Sequence, residues 1–559
     1  SNLNNGGALA GALAQIPILP IRRADGKYAI NPYLALDNPI GNLAEIRNLA
    51  KIYQLIGNVY GEADILPNLT FRTSLGLDLR SQVSKNFRTL EYSALQDNAV
   101  RGSASLFTLQ NTIGLWENTL TYKPNIGANH DITILGGYSA QQSSYINQQN
   151  NSSGFVSNVV TNFTGGSIIN PGTSKEEKWG LVSYFARAIY NYDNRYLVQA
   201  SLRADGSSRF SKDNRWGYFP AVAFAWRISE EEFFPRSSEL SNMKLRLSYG
   251  ANGNQEIKPY ERFTLFVPGQ TGTTLSQVGN ETLSWETTTQ LNAGLDFGLF
   301  NDRISVALDI YKKSTKDLLL YVPLPAIAGF AGAFQNIGEV ENKGVELSIN
   351  SANIRANDFT WNTSFNFSLN RNKVVDLGKA LDEKGDLVDR QIIENENITQ
   401  VGKPLGVFYG YQAEGIFQNQ AEIDAAPKQD ANTAPGDIRF ADLNGDNVIN
   451  AQDRKIIGDP NPNFIAGLTN TFNYKAFELS FFFQGNFGND IYNQTRVMLE
   501  SFTTPINSTT RALDRWKTPG QKTSVPRAII SDPNNNSRFS TRYIEDGTYV
   551  RLKNLTLAY

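Results

Sequence analysis

The 559-residue chain has no cysteine, a single histidine and two methionines. Without cysteine it has neither disulfides nor thiolate metal sites, which excludes a small stapled secreted fold. With His130 alone, serine triads, Cys/His pairs and multi-histidine zinc centres lack the members they need. The turn composition of Asn129, His130 and Asp131 predicts a solvated loop residue. Glu230, Glu231 and Glu232 bring carboxylates together, but in a charged segment that reads as a solvated turn rather than a glycosidase pair, and no enzyme is expected. The 52 basic and 54 acidic residues leave a net charge of −2, which argues against a nucleic-acid partner held by a broad basic surface. Long apolar runs are missing too: the most apolar stretch, residues 6–21, is interrupted by Gln15, Pro17 and Pro20, so no spanning helix is expected. The opening Ser1, Asn2 and Leu3 show no basic segment or cleavage site of a signal peptide.

What is present is alternation. From residue 361 to 370, Trp361, Thr363, Phe365, Phe367 and Leu369 point one way, and Asn362, Ser364, Asn366, Ser368 and Asn370 the other, because successive strand side chains face opposite sides. The pattern returns with Phe71, Thr73, Leu75, Leu77 and Leu79 against Arg72, Ser74, Gly76, Asp78 and Arg80. It returns again with Leu245, Leu247 and Tyr249 against Lys244, Arg246 and Ser248, and with Ile304, Val306, Leu308 and Ile310 against Arg303, Ser305 and Asp309. Charges such as Arg72, Asp78, Arg246 and Asp309 are costly in a sandwich core but suit a wide water-filled lumen. The expected fold is therefore all-β: a large antiparallel transmembrane β-barrel with long extracellular loops. A negative mean hydropathy does not oppose this, since half of each barrel strand faces water.

Short turns, Tyr192-Asp193-Asn194-Arg195 and Phe300-Asn301-Asp302-Arg303, read as tight hairpin connections. Polar stretches at 141–178, 376–398 and 498–542 read as long loops, which places them on the opposite, external rim. Tyr184, Tyr190, Tyr192 and Tyr196 in one hairpin, and Phe481, Phe482, Phe483 and Phe487 in another, read as an interfacial aromatic belt.

Several motifs go beyond pattern. Residues 203–210 (RADGSSRF), 215–220 (RWGYFP) and 226–230 (WRISE) closely resemble a signature of the SusC/RagA family of TonB-linked outer-membrane proteins. Collinear matches follow at 245–255 (LRLSYGANGNQ), 283–286 (LSWE), 292–297 (NAGLDF), 342–346 (NKGVE), 410–417 (GYQAEGIF) and 435–440 (PGDIRF). The resemblance implies a barrel of about 22 strands, of which roughly 14 to 18 are expected here at one strand and loop per 30–40 residues. It also implies that residues 1–559 are a partial barrel domain. The family's N-terminal extension, TonB-contacting segment and plug are not recognisable, the start matches the family near residues 17–38, and further strands are expected beyond 549–559.

One site has readable chemistry. Residues 442–453 carry the spacing of a twelve-residue calcium loop: Asp442, Asn444 and Asp446 at positions 1, 3 and 5, the Val448 carbonyl at 7, Asn450 at 9 and Asp453 at 12. Short oxygen-bearing side chains at alternate positions converge on a hard cation, calcium or magnesium. Ile449 supplies the apolar anchor, and Asn447 at position 6 stands where a left-handed residue is needed. An Asx-rich turn without metal is the simpler alternative.

The resemblance implies an outer-membrane importer of glycan or peptide nutrients, capped by a SusD-like surface lipoprotein, energised by TonB and surrounded by outer-membrane lipid. Two alternatives stand beside it: a SusC-like barrel serving as an assembly scaffold without TonB-driven transport, and a soluble calcium-binding β-protein.

Overall fold

The computed structural model describes residues 7–33, 37–92, 100–235, 237, 239–269, 272–323, 330, 332–381 and 385–559. Parts of the 6–21, 17–38 and 376–398 stretches, at residues 6, 34–36 and 382–384, lie outside the described residues. Fifteen strands form one continuous sheet, each bonded to the next in sequence. They are β1 (Ile46–Leu66), β2 (Leu69–Arg88), β3 (Ser103–Tyr122), β4 (His130–Ser153), β5 (Ile168–Tyr192), β6 (Tyr196–Ser207), β7 (Trp216–Arg227) and β8 (Leu240–Asn254). The meander continues through β9 (Glu286–Leu299), β10 (Ile304–Lys316), β11 (Glu339–Arg355), β12 (Phe359–Asp376), β13 (Phe464–Tyr474), β14 (Phe477–Phe487) and β15 (Tyr549–Ala558). All neighbouring pairs run antiparallel, as short hairpin turns permit. Fifteen strands fall within the expected range. Among the described residues β1 and β15 are each paired on one side only.

Register makes the two faces continuous. One row of directly opposed residues runs from Tyr196 through Trp226, Leu245, Leu295 and Leu308 to Leu347, Phe367 and Ala466. One residue along each strand, the adjacent row runs through Arg246, Gly294, Asp309, Glu346 and Ser368. Since a one-residue shift swaps faces, the alternation read strand by strand becomes an apolar band on one side and a polar surface on the other.

The two rims differ as expected. Tight turns such as 193–195 and 300–303 lie on one rim, with Asp193, Asn194, Phe300, Asn301 and Asp302 in the left-handed region that such turns require. The long connections 377–463 and 488–548 lie on the other and carry most of the chain outside the wall. The stretch 141–178 departs from the loop expectation. Its polar residues are strand, since β4 runs to Ser153 and β5 begins at Ile168, so only 154–167 connects them. Polarity misleads here because this ribbon is polar on both faces where it extends past the apolar band.

Buried clusters sit on the long-connection side, where wall and loops meet: Phe210, Phe219, Ile257, Leu283 and Trp285 in one, and Ile438, Phe440 and Ile449 in another. The N-terminal segment joins this side. Its helix Pro39–Glu45 is capped by Asn38, whose side chain accepts from the N–H groups of Ile40 and Gly41. The backbone of Asn507 donates to the Ala14 carbonyl at 2.9 Å, and Asn31 donates to the Pro505 carbonyl at 2.9 Å.

The aromatic expectation divides. Tyr184, Tyr190, Tyr192 and Tyr196 all fall on the apolar face, and the rings of Tyr192, Tyr196 and Trp226 stack in sequence at 6.3 and 6.4 Å. His130 is not a loop residue but the first residue of β4. It lies over Tyr190 and Tyr192, and its Nδ1 is 2.9 Å from the Tyr190 hydroxyl. Phe481, Phe483 and Phe487 share the apolar face, whereas Phe482, opposite Thr469, takes the polar one. Glu231 is more than part of a solvated turn: one carboxylate oxygen accepts from the Tyr196 hydroxyl at 2.5 Å and from the Trp226 indole at 2.9 Å.

Candidate functional site

The polar face carries paired charge. Arg246 on β8 donates through Nε and Nη2 to Asp296 on β9 at 2.8 and 2.7 Å, and through Nη1 and Nη2 to Asp309 on β10 at 2.9 Å each. Asn292 adds a bond to Asp309 at 3.2 Å. A guanidinium can serve two carboxylates at once because its donors are fixed in a planar fork. To reach β10 the side chain crosses β9 directly over Gly294, where an added Cβ would lie 2.5 Å from the Asp309 carboxylate and 2.6 Å from the Arg246 Cζ. Gly294 is thus the gap through which three strands share one charge cluster.

All four lumen charges expected from sequence lie on this face. Arg246 and Asp309 come together, whereas Arg72 and Asp78 do not. Arg72 covers the Tyr60 ring at 4.1 Å and lies 3.8 Å from Glu62, while Asp78 accepts from Gln54 at 3.2 Å. Asp296 was missed as a site residue although it alternates correctly with Asn292 and Gly294. Nothing local distinguishes it from generic lumen polarity.

Beyond the wall, connections 377–463 and 488–548 build one outer body. The motif at 435–440 supplies its clamp. Asp437, fully buried, accepts from Arg527 Nε at 2.6 Å and Nη2 at 3.0 Å, from Asn536 at 3.1 Å and from the Ala434 N–H at 2.8 Å. Gly436, at φ +94°, holds the Trp516 ring where a Cβ would come within 2.4 Å. A second buried carboxylate, Glu500, is met by Arg496 at 3.0 Å and Thr509 at 2.9 Å. Buried acids survive because each is fully hydrogen-bonded.

The 442–453 loop projects from this body, anchored by Ile449, which is buried against Ile438 and Phe440. Asn447 adopts φ +63°, as its position requires. Asp442 accepts from the N–H groups of Gly445 and Asn447, Asn444 from that of Asp446, Asp446 from that of Val448, and Asn450 from that of Gln452. Asp453 is fully buried, and its two oxygens accept from Leu443 and Asn450, tying the loop's ends together. The amide nitrogens of Asn444 and Asn450 converge on Asp446 Oδ2 at 2.9 and 3.4 Å; the latter also lies 3.4 Å from the Val448 carbonyl. Hydrogen bonds from Asn444 and from the Val448 backbone hold the Asp446 carboxyl below the usual range. Among the described residues no three Asp, Glu, His or Cys side chains gather as a metal centre. Any cation here depends on mixed carboxylate, amide and carbonyl oxygens, with the Asn444 and Asn450 amides turned to present oxygen.

The model of the TonB dependent receptor-like β-barrel family matches residues 22–440. The chain belongs to that family. It is 37% identical to TonB-dependent receptor P3 of Formosa agariphila over 99% of this chain and 56% of that protein. It is 31% identical to TonB-dependent receptor SusC of Bacteroides thetaiotaomicron over 96% of this chain and 52% of that protein. The chain thus spans about half the length of the curated relatives it matches. Among solved structures it is similar to the RagAB peptide transporter, with a TM-score of 0.81 and 24% identity over 96% of this chain and 59% of that one. The TonB-dependent barrel is accordingly of the SusC/RagA type and lies in the outer membrane. Its apolar face meets lipid, its polar face the lumen, and the rim of long connections is the external one.

Proposed function

We propose that this barrel forms the wall and outer vestibule of a nutrient importer energised by TonB, capped by a SusD-like lipoprotein and passing glycans or peptides. The observation that carries this is the pairing of a lipid-compatible band with a continuous, charge-lined polar face, crowned by an outer body clamped at Asp437. A solid β-structure would not bury three strands' charges on its inner side. The match to SusC supports the receptor type, and the similarity to a structure described as a peptide transporter supports the peptide class; the glycan class rests on the resemblance of the motifs alone. Deleting the full-length gene is expected to abolish growth on one oligosaccharide or peptide source, and deleting TonB should do the same. Unchanged growth on all such sources, together with loss of an outer-membrane complex, would favour the scaffold reading instead.

The 442–453 loop is proposed to hold a structural calcium ion through Asp442, Asn444, Asp446, Asn450, Asp453 and the Val448 carbonyl. Its oxygen-only donor set and its spacing support this. Chelation, or Asp442→Ala combined with Asp446→Ala, is expected to raise protease cleavage within residues 436–458 of the full-length protein while the barrel stays folded. Equal cleavage with and without calcium would count against the ion.

A further inference from the structure

A cavity of about 820 Å³ opens on the lipid side of the wall rather than in the lumen. Its row of opposed residues runs Leu75, Trp116, Ala140, Val182, Gly206 and Trp216 across β2 to β7, all on the apolar face. An arc of rings closes one side: Trp116 to Tyr138 at 5.9 Å, Tyr138 to Tyr184 at 5.3 Å and Tyr184 to Trp216 at 6.1 Å. One step toward the external rim, Gly114, Gln142 and Gly180 stand opposite one another, and nothing lies within 4 Å of a Cβ added at Gly114. The floor is therefore open space.

The outer end of the groove is cationic. Lys178 and Arg215 line it, and no carboxylate side chain does. Lys178 pairs with Glu176 at 2.6 Å, but the Arg215 Nε is buried with no hydrogen-bond partner. Among the described residues Arg215 makes no ion pair with a carboxylate, so a cation bordering the groove is left without a counter-charge that an anionic headgroup can supply. Trp and Tyr mark the level at which acyl chains give way to headgroups, and that is where the arc sits, just inside the polar extension of β4 and β5. The volume lies within the ~300–1,000 Å³ typical of small-molecule sites.

We propose that this groove binds an anionic, phosphate-bearing lipid of the outer leaflet. Its chain lies over Gly114, Ala140 and Gly180 against Trp116 and Trp216, and its phosphate meets Lys178 and Arg215. The proposal rests on the membrane orientation of the apolar face but not on what the lumen transports, so a failed uptake assay would leave it standing.

The test places the full-length protein in phosphatidylcholine vesicles containing a few mole per cent of phosphatidic acid with brominated chains, which quench nearby tryptophan fluorescence. Brominated phosphatidic acid is expected to quench more strongly than brominated phosphatidylcholine, even in excess inorganic phosphate. Lys178→Gln combined with Arg215→Gln should weaken that preference about tenfold, the loss of charge-assisted contacts. Gly114→Leu, which the open floor accommodates, should reduce quenching by filling the chain's place with both cations intact. Equal quenching by the two lipids, displacement by inorganic phosphate alone, or an unchanged preference in folded variants would overturn the proposal. So would protection of these tryptophans by a protein partner rather than by lipid.

Discussion

Replacing Leu347 with arginine is expected to destabilise the barrel by about 2–4 kcal/mol, the cost of a cation on the lipid face near the bilayer midplane. Leu347 is the central residue of Val345, Leu347 and Ile349, the apolar run of β11, and is opposed by Leu308 on one side and Phe367 on the other. An arginine there has no partner and must reach along the strand to the interface. Ser348→Arg, one residue on, projects into the polar lumen face opposite Ala307 and Asn366, and should change stability by less than about 1 kcal/mol. Unfolding of the full-length protein in lipid vesicles, followed by heat-modifiable gel migration, measures both. Equal penalties at the two positions would show that the faces are wrongly assigned.

The second large effect is expected at the outer body. Asp437→Ala removes a buried carboxylate that accepts four hydrogen bonds from Arg527, Asn536 and Ala434. It leaves the Arg527 guanidinium, 26% exposed, without its counter-charge. Breaking one member of a buried pair costs about 3–5 kcal/mol. Because the clamp joins two connections rather than wall strands, the loss should appear locally. Protease cleavage in 488–548 is expected to rise by at least about two orders of magnitude at 1.4 kcal/mol per tenfold, while wall unfolding stays the same. Cleavage at the unmutated rate would mean that the two connections are held together elsewhere.

The strand at 361–370 was legible because alternation is a local property: each side chain's face follows from its neighbour's. The turns at 193–195 and 300–303 were legible for the same reason, as was the left-handed Asn447. The ribbon 141–178 was misread because polarity on both faces looks like a loop until pairing is known. Its hydrogen bonds come from β3 as well as from its own hairpin, and no residue within it reveals that. Phe482 and His130 were misplaced by similar short-range reasoning, which judged composition without register.

By itself, then, the sequence determined the fold class, the two-faced wall, the asymmetry of its rims and the family to which it belongs. These properties repeat along the chain and depend on residues close to one another. Only the tertiary structure decided that Arg246 reaches over Gly294 to Asp309, that Asp437 grips a connection ninety residues away at Arg527, and that Trp116, Gly180 and Arg215 line one groove. Those contacts depend on the register between strands and on how two long connections fold back on each other. That information is spread over the whole sheet, and no single segment carries it.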